Sequence, residues 1–183
     1  MFNSQIASRY RKEINERYYQ GDIIKDLSFV MGSPLREEEK TVMQLPYAVV
    51  LSQDCDLQQD FSSSGQSNQD KSLLSVLICP AYILEHFALG THIGSWDMRK
   101  FNSSDIDKLK GNDSYKRYHY LCGDAMLSVP DLIIDFKHFF TVPREYMYSI
   151  KNGLYVASLS ELFREELSQR FANYLSRIGL PEL

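Results

Sequence analysis

The sequence holds few of the features that give a function away. No apolar run approaches the roughly 20 residues that cross a bilayer. The opening stretch, MFNSQIASRYRKEINERYY, is charged throughout and lacks the apolar core that export requires. There are three cysteines, Cys55, Cys79 and Cys122, far apart in the chain. With no Cys-x-x-Cys pair they suit neither a disulfide framework nor structural zinc, and the sequence reads as one with reduced thiols in a cytosol. His119 and Cys122 are three residues apart, which is weak support for a metal. No phosphate loop, dinucleotide fingerprint or Ser-His-Asp arrangement is visible, and Gly90 and Gly94 fit neither glycine pattern. No internal repeat occurs. A basic excess is missing too: 20 Lys and Arg against 24 Asp and Glu give a net charge of −4, which excludes a globally basic nucleic-acid binder but not a local patch. The expectation is a cytoplasmic protein with no membrane association and no cofactor.

What is present is a globular composition. Of 183 residues, 44% are hydrophobic and 13% aromatic, with 12 Tyr, 10 Phe and a single Trp, Trp96. That is enough apolar material for one core in a single domain, 1–183, and it excludes a wholly disordered chain. Tyrosine suits half-buried strands and recognition surfaces alike.

Periodicity supplies the elements. Ile6, Tyr10, Ile14 and Tyr18 recur at i, i+4 and predict an N-terminal helix over 4–19, ended by Gly21. A strand is predicted over 22–30, broken by Gly32-Ser33-Pro34, with a charged turn over 36–40. The run Tyr47-Ala48-Val49-Val50-Leu51-Ser52 reads as a central strand with Pro46 at its start. A polar loop is expected over 60–72 and a strand over 73–79, ended by Pro80. Short helices are expected over 81–88 and 104–110, the second capped by Ser103 or Ser104. Strands follow over 115–121, 132–136 and 139–142. Ser158-Leu159-Ser160-Glu161 fits a capping box opening a C-terminal helix over 158–178, with Leu162, Phe163, Leu167, Phe171, Tyr174, Leu175 and Ile178 as its apolar stripe. The fold class is α+β, mainly β.

Three segments in order carry a family resemblance: Gly21-Asp22-Ile23-Ile24, then Pro46 through Ser52, then Val76-Leu77-Ile78-Cys79-Pro80. Asp135-Phe136-Lys137 and the C-terminal helix follow. Together they resemble the PemK/MazF family of bacterial toxins, small β-barrel endoribonucleases. The resemblance implies an SH3-like small β-barrel over 20–80 and 115–156, flanked by the terminal helices, with 81–114 as an insertion. It also implies the setting of a bacterial toxin–antitoxin or phage-defence system. Two family positions are not matched. Leu45 stands where the Arg before the proline would stabilise charge on the scissile phosphate, and Ala81-Tyr82 follows Pro80 where a Thr or Ser would assist. Leucine cannot donate to a phosphate, and loss of such a donor costs a factor of about 10²–10³. The family's RNA cleavage therefore does not carry over, and a module that binds nucleic acid or a protein partner, altered in or without catalysis, is expected.

Two local constellations carry candidate chemistry. Asp54-Cys55-Asp56 places a thiol between carboxylates at a strand end. Cys55 as nucleophile would suffer from its acidic neighbours, which raise a thiol pKa. Asp54 and Asp56 could hold a divalent metal for a hydrolase or nuclease, or simply cap the chain turn, the structural role being the commoner one. Arg99-Lys100-Phe101 and Tyr115-Lys116-Arg117-Tyr118-His119-Tyr120 interleave cations with rings. Arg99, Lys100, Lys116, Arg117, Tyr118 and Tyr120 are thus the candidates for single-stranded nucleic acid, where cations track phosphates and rings stack on bases. The bland reading of the same residues is a charged edge strand that resists aggregation. The terminal helices offer a third possibility, a structural subunit or homodimer assembled through them, against the usual outcome of docking on their own domain.

Overall fold

The computed structural model describes residues 8–12, 15–33, 36–94 and 96–177. In chain order the described elements are β1 (Tyr10–Arg11), β2 (Asp22–Ser33), β3 (Arg36–Val50), α1 (Asp54–Ser62), β4 (Ser75–Ile83), α2 (Leu84–Ala88), α3 (Ser103–Lys110), β5 (Tyr118–Leu121) and β6 (Leu132–Asp135). A 3₁₀ turn (Phe136–His138), β7 (Phe140–Pro143), α4 (Arg144–Leu154), β8 (Tyr155–Leu159) and α5 (Glu161–Leu175) complete the order. All strand pairs are antiparallel, in the order β1-β8-β2-β3-β4-β6-β5, with β7 pairing β4. The chain is α+β and mainly β.

Side-chain alternation along the central strands gives the sheet two apolar faces. Ile23, Val49, Cys79, Ala81 and Ile134 face α5, whose Leu167, Phe171 and Tyr174 pack on them. Each buried Ile, Val, Leu or Phe among them contributes about 1.5–3 kcal/mol. Their neighbours Ile24, Ala48, Val50 and Ile78 face the other way, onto Leu57 of α1 and Met147 of α4. A third cluster sits further along that second face, where Tyr82, Tyr120 and Ile133 meet Phe87 of α2 and Leu109 of α3. Gly21 opens β2 at φ +84°, and a Cβ there would lie 3.0 Å from that of Leu159. Turn and close approach both call for glycine.

The sheet is open: no pairing among the described residues joins β5 to β1. Its two ends nevertheless approach, because the Tyr10 hydroxyl donates to the Cys122 carbonyl at 2.6 Å.

Several expectations are corrected. Where it is described, the segment expected as a helix over 4–19 is not helical; Tyr10 and Arg11 pair with β8, and residues 1–7 and 13–14 lie outside the described residues. Tyr10 and Tyr18 share helical spacing but enter cores on opposite sheet faces, so the period did not mark one face. Of the break predicted at 32–34, Gly32 and Ser33 are strand, as is the turn over 36–40, since β2 and β3 pair along their length; Pro34 lies outside the described residues. Pro46 lies within β3, not at its start; pairing passes from Lys25–Tyr47 to Leu27–Leu45 across it, with Asp26 opposite at φ 52°. Pro80 does not end β4 either. The outer edge of β4 pairs β7 through Ile78 and β6 from Ala81, so Pro80 falls where neither partner needs its N–H. Strand β4 thus runs through Ile83, three residues into the segment expected as an insertion. Ser158 and Leu159 belong to β8, and α5 begins after Ser160. The Ser158 hydroxyl bonds the buried Asp22 carboxylate instead of capping the helix. Leu162 and Leu175 of the predicted stripe are exposed, and Ile178 lies outside the described residues. Asn102, not a serine, caps α3 by accepting from Asp105 N–H at 2.9 Å. Among the described residues no helix is long and apolar enough to cross a membrane.

Candidate functional site

The richest chemistry gathers where β6 ends. Asp135 is fully buried and accepts two bonds from Arg117, Nε to Oδ1 at 2.7 Å and Nη2 to Oδ2 at 2.6 Å. The backbone N–H of Lys137 adds a third at 3.1 Å. His138 Nδ1 lies 3.2 Å from the same Oδ2, out of line for a hydrogen bond. Local structure dictates this meeting. Tyr118 pairs with Asp135 across β5 and β6, which brings the preceding Arg117 alongside, and the 3₁₀ turn folds His138 back over the carboxylate. A buried carboxylate stripped of such a partner typically costs about 3–5 kcal/mol. Burial pushes the His138 imidazole below its ordinary range, against the opposing pull of Asp135.

Beside this pair opens a cavity of about 530 Å³. Phe29, Leu45, Pro80 and Tyr82 form apolar walls, and Trp96 and His138 stand at one side. Their rings are perpendicular, with centroids 6.2 Å apart. Leu45, Pro80 and Tyr82 are the positions at which the sequence departs from the PemK/MazF pattern or flanks the departure, and the fold converges them on one apolar wall. His92 lies between Tyr82, edge-on at 4.7 Å, and Phe87, tilted at 4.5 Å, with both ring nitrogens buried and without a hydrogen-bond partner among the described residues. Burial lowers its pKa, opposed by the Asp135 charge.

Away from the cavity a ladder of cations and rings continues from Arg117. Its guanidinium lies 4.9 Å from the Tyr118 ring; Tyr118 meets Tyr115 at 6.0 Å; Arg99 lies 5.8 Å from Tyr115 and 4.7 Å from Phe101. Asp105 ties the far end, accepting from Arg99 at 3.1 Å and from the Tyr115 hydroxyl at 2.9 Å. Arg170 of α5 fixes the ladder from beneath by donating to the carbonyls of Asn112, Tyr115 (3.3 Å) and Tyr118 (2.9 Å). Of the predicted nucleic-acid residues, the fold thus brings Arg99, Arg117 and Tyr118 together. Lys100 and Lys116 are exposed beside them. Tyr120 is turned inward, 9% exposed, with its hydroxyl on Asp131 at 3.0 Å, so its ring offers no stacking face.

The other candidates serve the scaffold. Asp54 opens α1 and is held by Arg17 at 3.1 and 3.2 Å, by Arg164 at 3.5 Å and by the Gln20 N–H at 3.3 Å. Burial works to raise its pKa, but the Arg17 bond and the two arginine charges outweigh it and leave it lowered. Asp56 is exposed and accepts from the Cys55 thiol at 3.6 Å. Two residues apart on a helix, the carboxylates face different directions and do not form one metal site. Cys55 and Cys122 are exposed, Cys79 and His119 buried, all three thiols free. Among the described residues no group of three or more His, Cys, Asp and Glu is placed to hold a metal.

The arrangement as a whole can grip phosphate with arginine, stack flat rings on tyrosine and tryptophan, and admit an apolar face into the cavity. Sequence reading missed Trp96, His92 and His138. The available signal was the Asp135-Phe136-Lys137-His138 run, whose three-residue spacing lets a tight turn stack imidazole on carboxylate. A comparison with models of known protein families finds no match for the chain, and neither does a comparison with curated proteins.

Proposed function

We propose that this chain is a single-stranded nucleic-acid-binding module. The observation that carries the reading is the continuous run Arg99–Tyr115–Tyr118–Arg117, in which two half-buried rings lie between two cations and which ends beside an apolar cavity. Single strands are bound by such combinations, because arginine meets phosphate while every base can stack. Arg170 fixes the backbone that carries these rings and Asp105 holds the Tyr115 hydroxyl, so little freedom is lost on binding. The acidic total confines binding to this face.

We read the chain further as a divergent PemK/MazF-like module whose barrel corresponds to the curled sheet, acting in a bacterial toxin–antitoxin or phage-defence setting without the family's cleavage. Leu45 and Tyr82 line an apolar wall and offer no charged donor for a scissile phosphate. A hydrolase built on Asp54 and Asp56 is disfavoured by the arginines that occupy Asp54, and assembly through α5 by the packing of its apolar side chains on its own sheet.

The test is a mobility shift with labelled single-stranded RNA, with and without Mg²⁺, for the wild type and Tyr115→Ala. Binding without cleavage is expected, weakened in the variant by about one stacked base, ~1–3 kcal/mol or five- to hundredfold. No retention at low salt would refute the reading and leave a protein partner. Cleavage that survives purification would refute its non-catalytic part.

A further inference from the structure

The cavity beside Trp96 has one side that the resemblance does not supply: Trp96 and Ile93 come from the 81–114 region, and His138 from the turn after β6. Its size, about 530 Å³, falls in the range of small-molecule sites, ~300–1,000 Å³. Trp96 is 60% exposed, a large aromatic surface left to solvent at the cavity mouth. With His138 it forms a right-angled aromatic corner, so a flat ring stacked on one presents its edge to the other. Thr141, exposed at the rim, adds a hydroxyl that can donate or accept. The anion-seeking group is near: Arg117 and His138 share Asp135 Oδ2, and among the described residues Arg117 Nη1 has no hydrogen-bond partner. A flat ring carrying a phosphate is the ligand that answers all of these features together.

We propose that this cavity takes one unstacked nucleobase of a single-stranded nucleic acid, with the adjoining phosphate on the free edge of Arg117. The inference rests on the nucleic-acid reading above, and it adds a subsite outside the ladder. Arg117 is the hinge between the two, since it caps the ladder through Tyr118 and reaches the cavity wall through Asp135 and His138. A base held there is bound by burial of its faces and by one charge-assisted contact, so single nucleotides bind weakly and the strand gains affinity by linking the subsites.

Trp96 is the only tryptophan, so its emission reports this cavity alone. The experiment titrates the protein with adenosine and uridine 5′-monophosphates, with ribose 5-phosphate and inorganic phosphate as controls. Anisotropy of a labelled single-stranded RNA is followed in parallel. Thr141→Phe fills the mouth from an exposed strand position without touching the ladder; Trp96→Phe provides a second variant for the RNA arm, and circular dichroism confirms that both fold. Saturable quenching by the nucleotides and not by the controls, lost in Thr141→Phe, is expected. So is an RNA affinity at least fivefold weaker in both variants. Nucleotides that leave the emission unchanged, together with RNA binding equal in wild type and both variants, would overturn the base site while leaving the binding module intact. Saturable nucleotide quenching with no RNA binding would uphold the base site and overturn the module.

Discussion

His119 and Asp22 are both buried and titratable, and their environments push stability in opposite directions with pH. His119 is 2% exposed in the core facing α5, with Nδ1 unpartnered among the described residues. Burial, aided by the Arg170 and Arg9 charges, lowers its pKa to about 3. The unfolded chain takes up the proton near pH ~6.5, so the stability that neutral His119 contributes is present above that pH. It is lost as pH falls towards about 3, by up to ~1.4 kcal/mol per pH unit. Asp22 runs the other way. Burial raises it to about 6 in spite of bonds from Ser158 and the Tyr19 N–H, so its contribution is present in acid and is lost as pH rises through about 6. Replacing His119 by Leu is expected to flatten the acid limb of stability, measured by urea unfolding at several pH values between about 4 and 7. An acid limb as steep in His119→Leu as in the wild type would show that the imidazole does not titrate as the burial implies. Neither role was readable from sequence: His119 could be placed opposite Tyr118 and Tyr120 by strand alternation, but its closure beneath α5 depends on residues some fifty positions away. The Gly21-Asp22 pair was visible, whereas the Ser158 that bonds Asp22 was assigned to a helix cap.

Between elements, the tie that matters most to the site is the grip of α5 on the segment leading into β5. Arg170 serves three carbonyls there, and its loss leaves them without their donor at a cost of about 1–3 kcal/mol each where water cannot replace it. Arg170→Leu is expected to lower the melting temperature and, because Tyr115 and Tyr118 lose their anchor, to weaken single-stranded RNA binding about tenfold without removing any group that touches RNA. RNA affinity unchanged in a measurably destabilised Arg170→Leu protein would separate the ladder from α5. Strands β2, β3 and β4 were legible because their apolar runs are long and β-branched. Their ends were not, since Pro46 and Pro80 end a strand only when a neighbour needs their N–H. Here Pro80 sits at the handover from β7 to β6. Helix α4 and strand β8 went unseen: α4 carries Gly153 and two tyrosines, Met147 is its one deeply buried apolar side chain, and the end of β8 reads as a helix cap.

At the scale of the whole molecule, the sheet keeps its cores on two faces and gathers the ladder of cations and rings along one margin. The third cluster, built from Phe87, Phe101 and Leu109, packs α2 and α3 on the outer end of β4, β5 and β6. That packing carries the 81–114 region to the same side as the β5 ladder, with Trp96 at the cavity. The basic and aromatic residues were legible as a composition in two separate stretches; that they join, and that Tyr120 drops out, is decided by the β5–β6 register and by Asp131. The proposal rests on the gathering of Arg99, Lys100, Lys116 and Arg117 along one margin of a protein of net charge −4. The most direct test is the salt dependence of single-stranded RNA binding, followed by anisotropy between about 50 and 200 mM salt for the wild type and Arg99→Ala. A log–log slope of about −0.7 per phosphate contacted is expected, made shallower by roughly one such contact in the variant. An affinity independent of salt, or a slope the same in Arg99→Ala as in the wild type, would contradict binding along the ladder.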